Sequence, residues 1–291
     1  MKPSERGILS EYDFKRTGVK VGYGLMCLLI ALIVVSMLYP FVNTFLNSLK
    51  TTEEFFAFPA PFFPSKWLWH NYSEALTLIP IWTFLKNTLM IFAGTVVFAL
   101  LFIGMAAFAL SHLRVPFKKW VTLFFLSTLM IPSATYLIPN YLNLQELGLL
   151  NSYWAFWLPA GANAFYLMLM KTFFDGIHKE LFEAARIDGA NEFQCFVRLA
   201  MPLSTPIVMT LLIFYFSATW NDFYWPSLVM LDKSMYPLAT GIYKYVVYPN
   251  STIQWNVKFA LLALSMLPPL VFFLVFQKYI TRGLNVSGVK G

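Results

Sequence analysis

Charged side chains divide the chain more sharply than any periodicity does. Six runs carry none: Val21–Leu49 (29 residues), Asn87–Leu113 (27), Trp120–Gln145 (26), Leu147–Met170 (24), Leu199–Asn221 (23) and Phe259–Gln277 (19). A helix crosses the hydrocarbon core with about 20 apolar residues. A charge at its centre costs about 2.5–3.5 kcal/mol on insertion scales, so uncharged runs of this length are informative. The pattern predicts an all-α integral membrane protein with six transmembrane helices, at about residues 21–43, 86–111, 120–142, 150–170, 201–221 and 259–278. Phe55–Pro64 and Phe223–Leu231 are apolar but too short to span and read as interfacial segments. The first run is longer than a signal-peptide core and is followed by no small-residue cleavage site, so it reads as a helix.

Composition agrees with this solvent. Hydrophobic residues make up 58% of the 291 and charged residues 12%, against about 45–50% and 25% in soluble domains. A water-soluble domain could not cover so much apolar surface. The scarce cations set the orientation. With the N-terminus inside, 15 of the 21 Lys and Arg residues fall on the cytoplasmic side, among them Lys20, Lys118, Lys119, Lys171, Lys179, Arg186 and Arg198. The remaining six, Lys50, Lys66, Lys86, Lys233, Lys244 and Lys258, fall outside. This positive-inside bias places both termini in the cytoplasm, with residues 1–20 as a cytoplasmic segment and 21–291 as the six-helix transmembrane domain. The net charge of +7 then reflects topology and contact with anionic lipid, and nucleic acid is not expected as a partner.

Several chemistries are missing. Cys27 lies within the first run and Cys195 in a cytoplasmic connection, so no disulfide is expected. His70, His112 and His178 are scattered, no H-E-x-x-H or G-x-S-x-G occurs, and no Gly-Lys pair exists to build a P-loop. No metal site or catalytic residue is expected. The run centres also lack the buried carboxylates of a proton-driven carrier. If transport is active, its energy comes from another subunit.

The longest cytoplasmic connection, residues 171–200, is the most specific part of the chain. Lys179–Ile187 is built of helix formers, with Leu181, Ala184, Ala185 and Ile187 supplying an apolar side. Asp188-Gly189 ends that helix, because glycine supplies the left-handed backbone of a C-cap. Asn191 followed by Gln194 has the form of a capping box opening a second helix. Phe193, Phe196 and Val197 share a face of it, and Pro202 marks the start of the fifth span. An amphipathic hairpin resting on lipid headgroups would show the same periodicity.

The connection resembles the EAA loop of permease subunits of ATP-binding-cassette importers. Glu183, Ala184, Ala185, Asp188, Gly189, Ala190, Phe196 and Pro202 match the family's spacing. Eight specified residues at fixed offsets recur by chance about once in 10⁹ positions. Leu199, Met201 and His178 depart from the usual Ile, Leu and Pro. The stretches YLNLQELGLLNS and ATWNDFYWPSLVM, and the terminal GLNVSGVKG, are similar to those of maltose-transporter-type carbohydrate permeases.

The resemblance implies a type I ABC importer permease fold and a multi-pass protein of the bacterial cytoplasmic membrane. It further implies a non-catalytic subunit with no cofactor of its own, ATP and magnesium being held by a cytoplasmic ATPase dimer that receives the EAA helix. The other implied partners are a second permease, giving a heterodimer, and an extracytoplasmic solute-binding protein. The terminal residues Gly283–Gly291 could also touch the ATPase, as in related maltose-type permeases, or form a plain chain end.

Outside, residues 222–258 form a loop in which Tyr243, Tyr245 and Tyr248 are candidate binding-protein contacts; rings anchored at the interface are the bland alternative. Asn140, Asn143, Asn163 and Asn221 lie in or near spans, where they line the solute path or bond between helices. A passive channel leaves the EAA loop unexplained, and a membrane enzyme lacks a reactive constellation. The nearer alternative is an ABC importer permease for another small solute of amino acid, peptide or glycerol-phosphate type; Trp220-Asn221-Asp222 and Gly288-Val289-Lys290-Gly291 favour carbohydrate.

Overall fold

The computed structural model describes residues 17–248 and 252–286. Most of the N-terminal segment and the Gly288–Gly291 end lie outside the described residues, as do Lys2, Arg6, Lys15, Arg16 and Lys290 from the charge pattern. All regular structure among the described residues is helical.

Three helices are long and apolar enough to cross a membrane unbroken: Thr17–Asn47 (31 residues), Ile81–His112 (32) and Trp255–Tyr279 (25). The first, second and sixth predicted spans are thus single helices that start four or five residues earlier than the uncharged pattern suggests. The 32-residue helix contains one wide turn of π-helix, Ala99–Ile103. Such a turn inserts a residue into the α-helical register and rotates the faces on either side of it.

The other three predicted spans are broken. Lys118–Thr128 and Ser133–Glu146 meet at 92°, and Glu192–Leu203 and Thr205–Asn221 at 79°. Counting each bent pair as one span gives five candidates rather than six. The expected fourth span, 150–170, consists of helices Trp154–Ala160 and Ala164–Asp175 separated by Gly161, Ala162 and Asn163. Proline sits near each break, although Pro40, Pro268 and Pro269 lie inside unbroken helices, so packing also decides where a helix gives way. Proline disfavours helix at the residue before it and removes a backbone donor, and Pro132, Pro159 and Pro206 sit beside the three interruptions. The fifth helix therefore begins at Thr205–Pro206, after buried Ser204, and not at Pro202. Charge counting could not show this, because proline and glycine leave a run uncharged.

The chain divides into two compact units, Met1–Ala75 with Gln254–Ala263, and Leu76–Ile253 with Leu264–Gly291. In the first unit the long helix Thr17–Asn47 is exposed along nearly its whole length. Beyond it, Thr51 and Glu54 form a capping box for the short helix Thr52–Phe56. Buried Asn71 donates to the Ser48 and Lys50 carbonyls at 2.8 and 3.2 Å and accepts from Asn256 at 3.1 Å. Lys50 is buried too. Its ammonium donates to Asn47 Oδ1 and the Pro61 carbonyl, while burial pushes its pKa down against the pull of Glu54. The presumed interfacial stretch after residue 50 is thus tied down by specific polar contacts.

The second unit holds the main core. Ala99, Ile103, Ala107 and Phe108 of the second long helix pack with Leu167, Met170 and Phe174 of Ala164–Asp175, and with Leu211 and Tyr215 of Thr205–Asn221. Gly104 permits close approach here: a Cβ on it would meet the Phe196 ring at 3.0 Å. The same cluster takes in Phe182, Cys195 and Phe196 from the connection of residues 171–200, so that hairpin is rooted in the core of the larger unit.

Candidate functional site

The first candidate site is the hairpin. Its outer arm is Lys179–Ile187, with the boundaries expected from sequence. Gly189 has φ +87°, a conformation that strains any residue carrying a Cβ. The Gly189 N–H donates to the Arg186 carbonyl at 3.0 Å and the Ala190 N–H to the Ala185 carbonyl at 2.9 Å. This pair of bonds is a Schellman turn, and it satisfies carbonyls the helix end would otherwise leave open. Asn191 then caps the second arm. Its Oδ1 accepts from the Gln194 N–H at 2.8 Å while Gln194 Oε1 accepts from the Asn191 N–H at 3.0 Å.

On the apolar side expected of the first arm, Leu181, Ala184 and Ile187 stay exposed, and Phe182, outside that set, enters the core: it is 1% exposed, with its ring 4.2 Å from that of His112 and 5.5 Å from that of Phe108. His112 Nε2 lies 3.0 Å from the Phe174 carbonyl, which fixes the imidazole behind that stack. Ala185 and Ala190 pack against the same cluster. On the second arm Cys195 and Phe196 are buried, while Phe193 and Val197 are exposed. The hairpin therefore carries two apolar surfaces. One is consumed internally. The other, made by Leu181, Ile187 (85% exposed), Phe193 and Val197, is open. Glu183, Ala184 and Asp188 are exposed beside it, as is Pro202.

Sequence reasoning missed one brace. Arg186 grips Glu192 across the turn with two parallel hydrogen bonds, Nε to Oε1 at 2.8 Å and Nη2 to Oε2 at 3.0 Å. This bond holds the Glu192 carboxyl below the usual carboxylate range and raises the guanidinium. A lowered carboxylate pKa contributes stability that is present at neutral pH and lost as pH falls through the folded value. Exposed pairs contribute about 0.2–1 kcal/mol. Arg186→Gln is accordingly expected to keep solute uptake within about fivefold of wild type. A loss beyond fiftyfold in an uptake assay would show that Arg186 does more than brace.

The second candidate site is a cavity of about 590 Å³ in the larger unit. Asn140 and Asn163 both line it. Asn163 Oδ1 also accepts from the Tyr166 N–H at 3.1 Å and so caps its own helix. Asn221 lines a separate, smaller pocket and donates back to the Ser217 carbonyl at 2.8 Å, bonding within its helix rather than between helices. Asn143 is exposed. The cavity wall also includes Tyr136, Tyr166, Tyr215, Asp222 and Trp225, which polarity counting along the runs did not single out.

The stretch expected as an external loop contains regular structure: Tyr224–Val229, Leu238–Ile242 and a π-turn at Tyr243–Val247. Tyr243 and Tyr245 are half-buried against Phe223 and Phe84, with ring centroids 4.7 and 5.9 Å apart. Of the three tyrosines expected at a binding-protein contact, Tyr248 is the exposed one. Leu238, Gly241 and Ile242 bury the rest of the segment, which explains why its rings turn inward.

Comparison with known proteins places the whole chain. Residues 16–286 match the family model described as binding-protein-dependent transport system inner membrane component. The probable ABC transporter permease protein YurM of Bacillus subtilis (strain 168) is 31% identical over 264 residues, covering 89% of this chain and 86% of that one. The sn-glycerol-3-phosphate transport system permease protein UgpE of Rhizobium meliloti (strain 1021) is 30% identical over 268 residues, 90% of this chain and 94% of its own. A chain in the crystal structure of a bacterial ABC transporter importing the acidic polysaccharide alginate superposes with TM-score 0.83 at 25% identity, over 94% of this chain and 99% of that one. The protein belongs to the inner membrane components of binding-protein-dependent ABC transport systems.

Proposed function

We propose that this chain is the permease subunit of an ATP-driven, binding-protein-dependent importer of a sugar or oligosaccharide. In this reading it forms half of the translocation path and performs no catalysis, while a separate cytoplasmic ATPase dimer holds ATP and magnesium. The observation that carries the reading is the hairpin of residues 171–200. Phe182 and Phe196 anchor it in the core, while Leu181, Ile187, Phe193 and Val197 stay exposed. Apolar surface of that kind fits a partner protein. A segment anchored among spans on one side and docked on an ATPase on the other transmits motion, because a packed core moves as a body.

The reading keeps six crossings, two of them bent and one in two short helices, with both termini and the hairpin cytoplasmic and residues 222–258 outside. A second permease completes the path as a heterodimer, and an extracytoplasmic binding protein delivers solute near Tyr248. Within the hairpin, Glu183, Ala184, Asp188 and Gly189 face the ATPase, and Ala185, Ala190 and Phe196 support them from beneath. Kinship with glycerol-phosphate permeases makes a phosphorylated polyol the other reading of the solute.

The test is the turn. Gly189→Val places a β-branched residue at φ +87°, where it is a steric outlier, and Glu183→Lys inverts the exposed charge. Both variants are expected to insert normally, yet to lose ATP-driven uptake by more than tenfold in proteoliposomes holding the complete importer and its binding protein. Wild-type uptake in both would remove the hairpin from the coupling path.

A further inference from the structure

The cavity of the larger unit has a one-sided chemistry. Its polar lining is supplied by hydroxyl and amide groups, Ser133, Asn140, Asn163, Tyr166 and Thr219 among them. Aromatic faces alternate with these, including Phe156 and Trp225. Among the described residues lining it there is no Lys, Arg or His, and Asp222 is the charged side chain. Asp222 Oδ1 accepts from the Trp225 N–H at 3.1 Å. Burial pushes this carboxyl up while the backbone of Trp225 and Tyr224 holds it down. In either protonation state it supplies no positive charge.

An anionic solute leaving water needs compensation. Burying an unpaired carboxylate or phosphate costs several kcal/mol even after relaxation, and sites built for such groups present arginine, lysine or clustered backbone N–H donors. This wall presents none of the cations, and Asp222, when ionised, adds a like charge. A neutral polyol meets no such penalty: its hydroxyls pair with amides and tyrosines, and its C–H faces lie on aromatic rings.

We propose that the solute passing through this cavity is an uncharged hydroxylated molecule, and that sugar acids and sugar phosphates are rejected here through Asp222. This inference rests on the importer reading above and narrows it. Kinship alone does not, since relatives named for glycerol phosphate and alginate carry anions.

The inference is tested in two arms. In the first, Thr219→Cys, one turn before Asp222 on the cavity wall, is made in a Cys27→Ser background, Cys195 being fully buried. The purified importer is reacted at pH 8, without solute, with a cationic and an anionic methanethiosulfonate. After correction for intrinsic reactivity the cationic reagent is expected to react about tenfold faster. Adding Asp222→Asn should collapse that ratio to within about twofold of unity. Equal rates without Asp222→Asn would overturn the inference. In the second arm the complete importer and its binding protein are offered neutral oligosaccharides, oligouronates, glycerol 3-phosphate and sugar phosphates. Uptake confined to neutral compounds is expected. Uptake of a uronate or phosphate would overturn the neutral-solute inference and leave the importer reading standing. No ATP-driven uptake of any compound, with the reagent ratio intact, would remove the importer reading and leave the charge selection of the cavity established.

Discussion

Phe182→Ala is expected to disconnect the hairpin from the spans and abolish coupled transport while leaving the ATPase-facing residues unchanged. Phe182 is 1% exposed, tilted against His112 and edge-on to Phe108. Removing a buried phenylalanine costs about 3–5 kcal/mol, through lost burial and the cavity left behind. That magnitude is enough to unseat a nine-residue helix whose other internal anchors are Ala185 and the Phe196 it packs beside. The measurable outcome is ATP hydrolysis no longer stimulated by the loaded binding protein, with uptake lowered by more than tenfold. Phe182→Leu keeps most of the volume and should recover much of the stimulation, since a near-isosteric apolar exchange costs about 1.5 kcal/mol or less. Leu181→Ala is the informative contrast. Leu181 is 47% exposed, so its loss should weaken ATPase docking without lowering the thermal stability of the permease. Full stimulation in Phe182→Ala would show that force passes to the spans by another route.

The contrast between Leu181 and Phe182 also marks how far the sequence could be read. Local signals placed the hairpin within a residue: Gly189 for the left-handed turn, Asn191 and Gln194 for the reciprocal cap. These are short-range effects that neighbouring residues determine. The choice of inward face was not local. Leu181 and Phe182 are adjacent apolar residues on a helix with apolar positions on two sides, and periodicity cannot say which stripe meets the protein's own core and which awaits a partner. The broken spans were hidden for a related reason. Absence of charge marks residence in lipid, but the bends at Pro132 and Pro206 depend on backbone donors and on what packs against the freed carbonyls. The cavity lay further out of reach still, since Asn140, Asn163 and Asp222 come from three separate segments and meet through tertiary packing.

Asn87 shows the same limit at the outer end of the second long helix, and it supports the other large expected effect. Its position in an uncharged run marks it as merely tolerated. In the structure it is 3% exposed, and its amide nitrogen donates to the Ser234 and Tyr236 carbonyls at 2.7 and 3.0 Å. Its Oδ1 accepts from the Tyr153 hydroxyl at 2.8 Å. The next residue, Thr88, accepts the Leu238 N–H at 2.8 Å. One turn of helix thus fastens the segment that leads to Tyr248. Asn87→Leu would leave the buried Tyr236 carbonyl without this donor, at about 1–3 kcal/mol, and would also remove the partner of the less buried Ser234 carbonyl and Tyr153 hydroxyl. Asn87→Asp is the sharper test, because it keeps the shape and the acceptor for Tyr153 but replaces both donors with an oxygen facing two carbonyls. If the donors carry the effect, Asn87→Asp should lower the thermal stability of the purified importer at least as much as Asn87→Leu. On the proposed topology it should also abolish stimulation of ATP hydrolysis by the binding protein while basal hydrolysis persists, since the segment displaced would face the binding protein and the hairpin is untouched. Retention of both stability and stimulation in Asn87→Asp would mean that the external segment is held by its apolar contacts, Leu238 and Ile242 among them, and that the amide is a passenger.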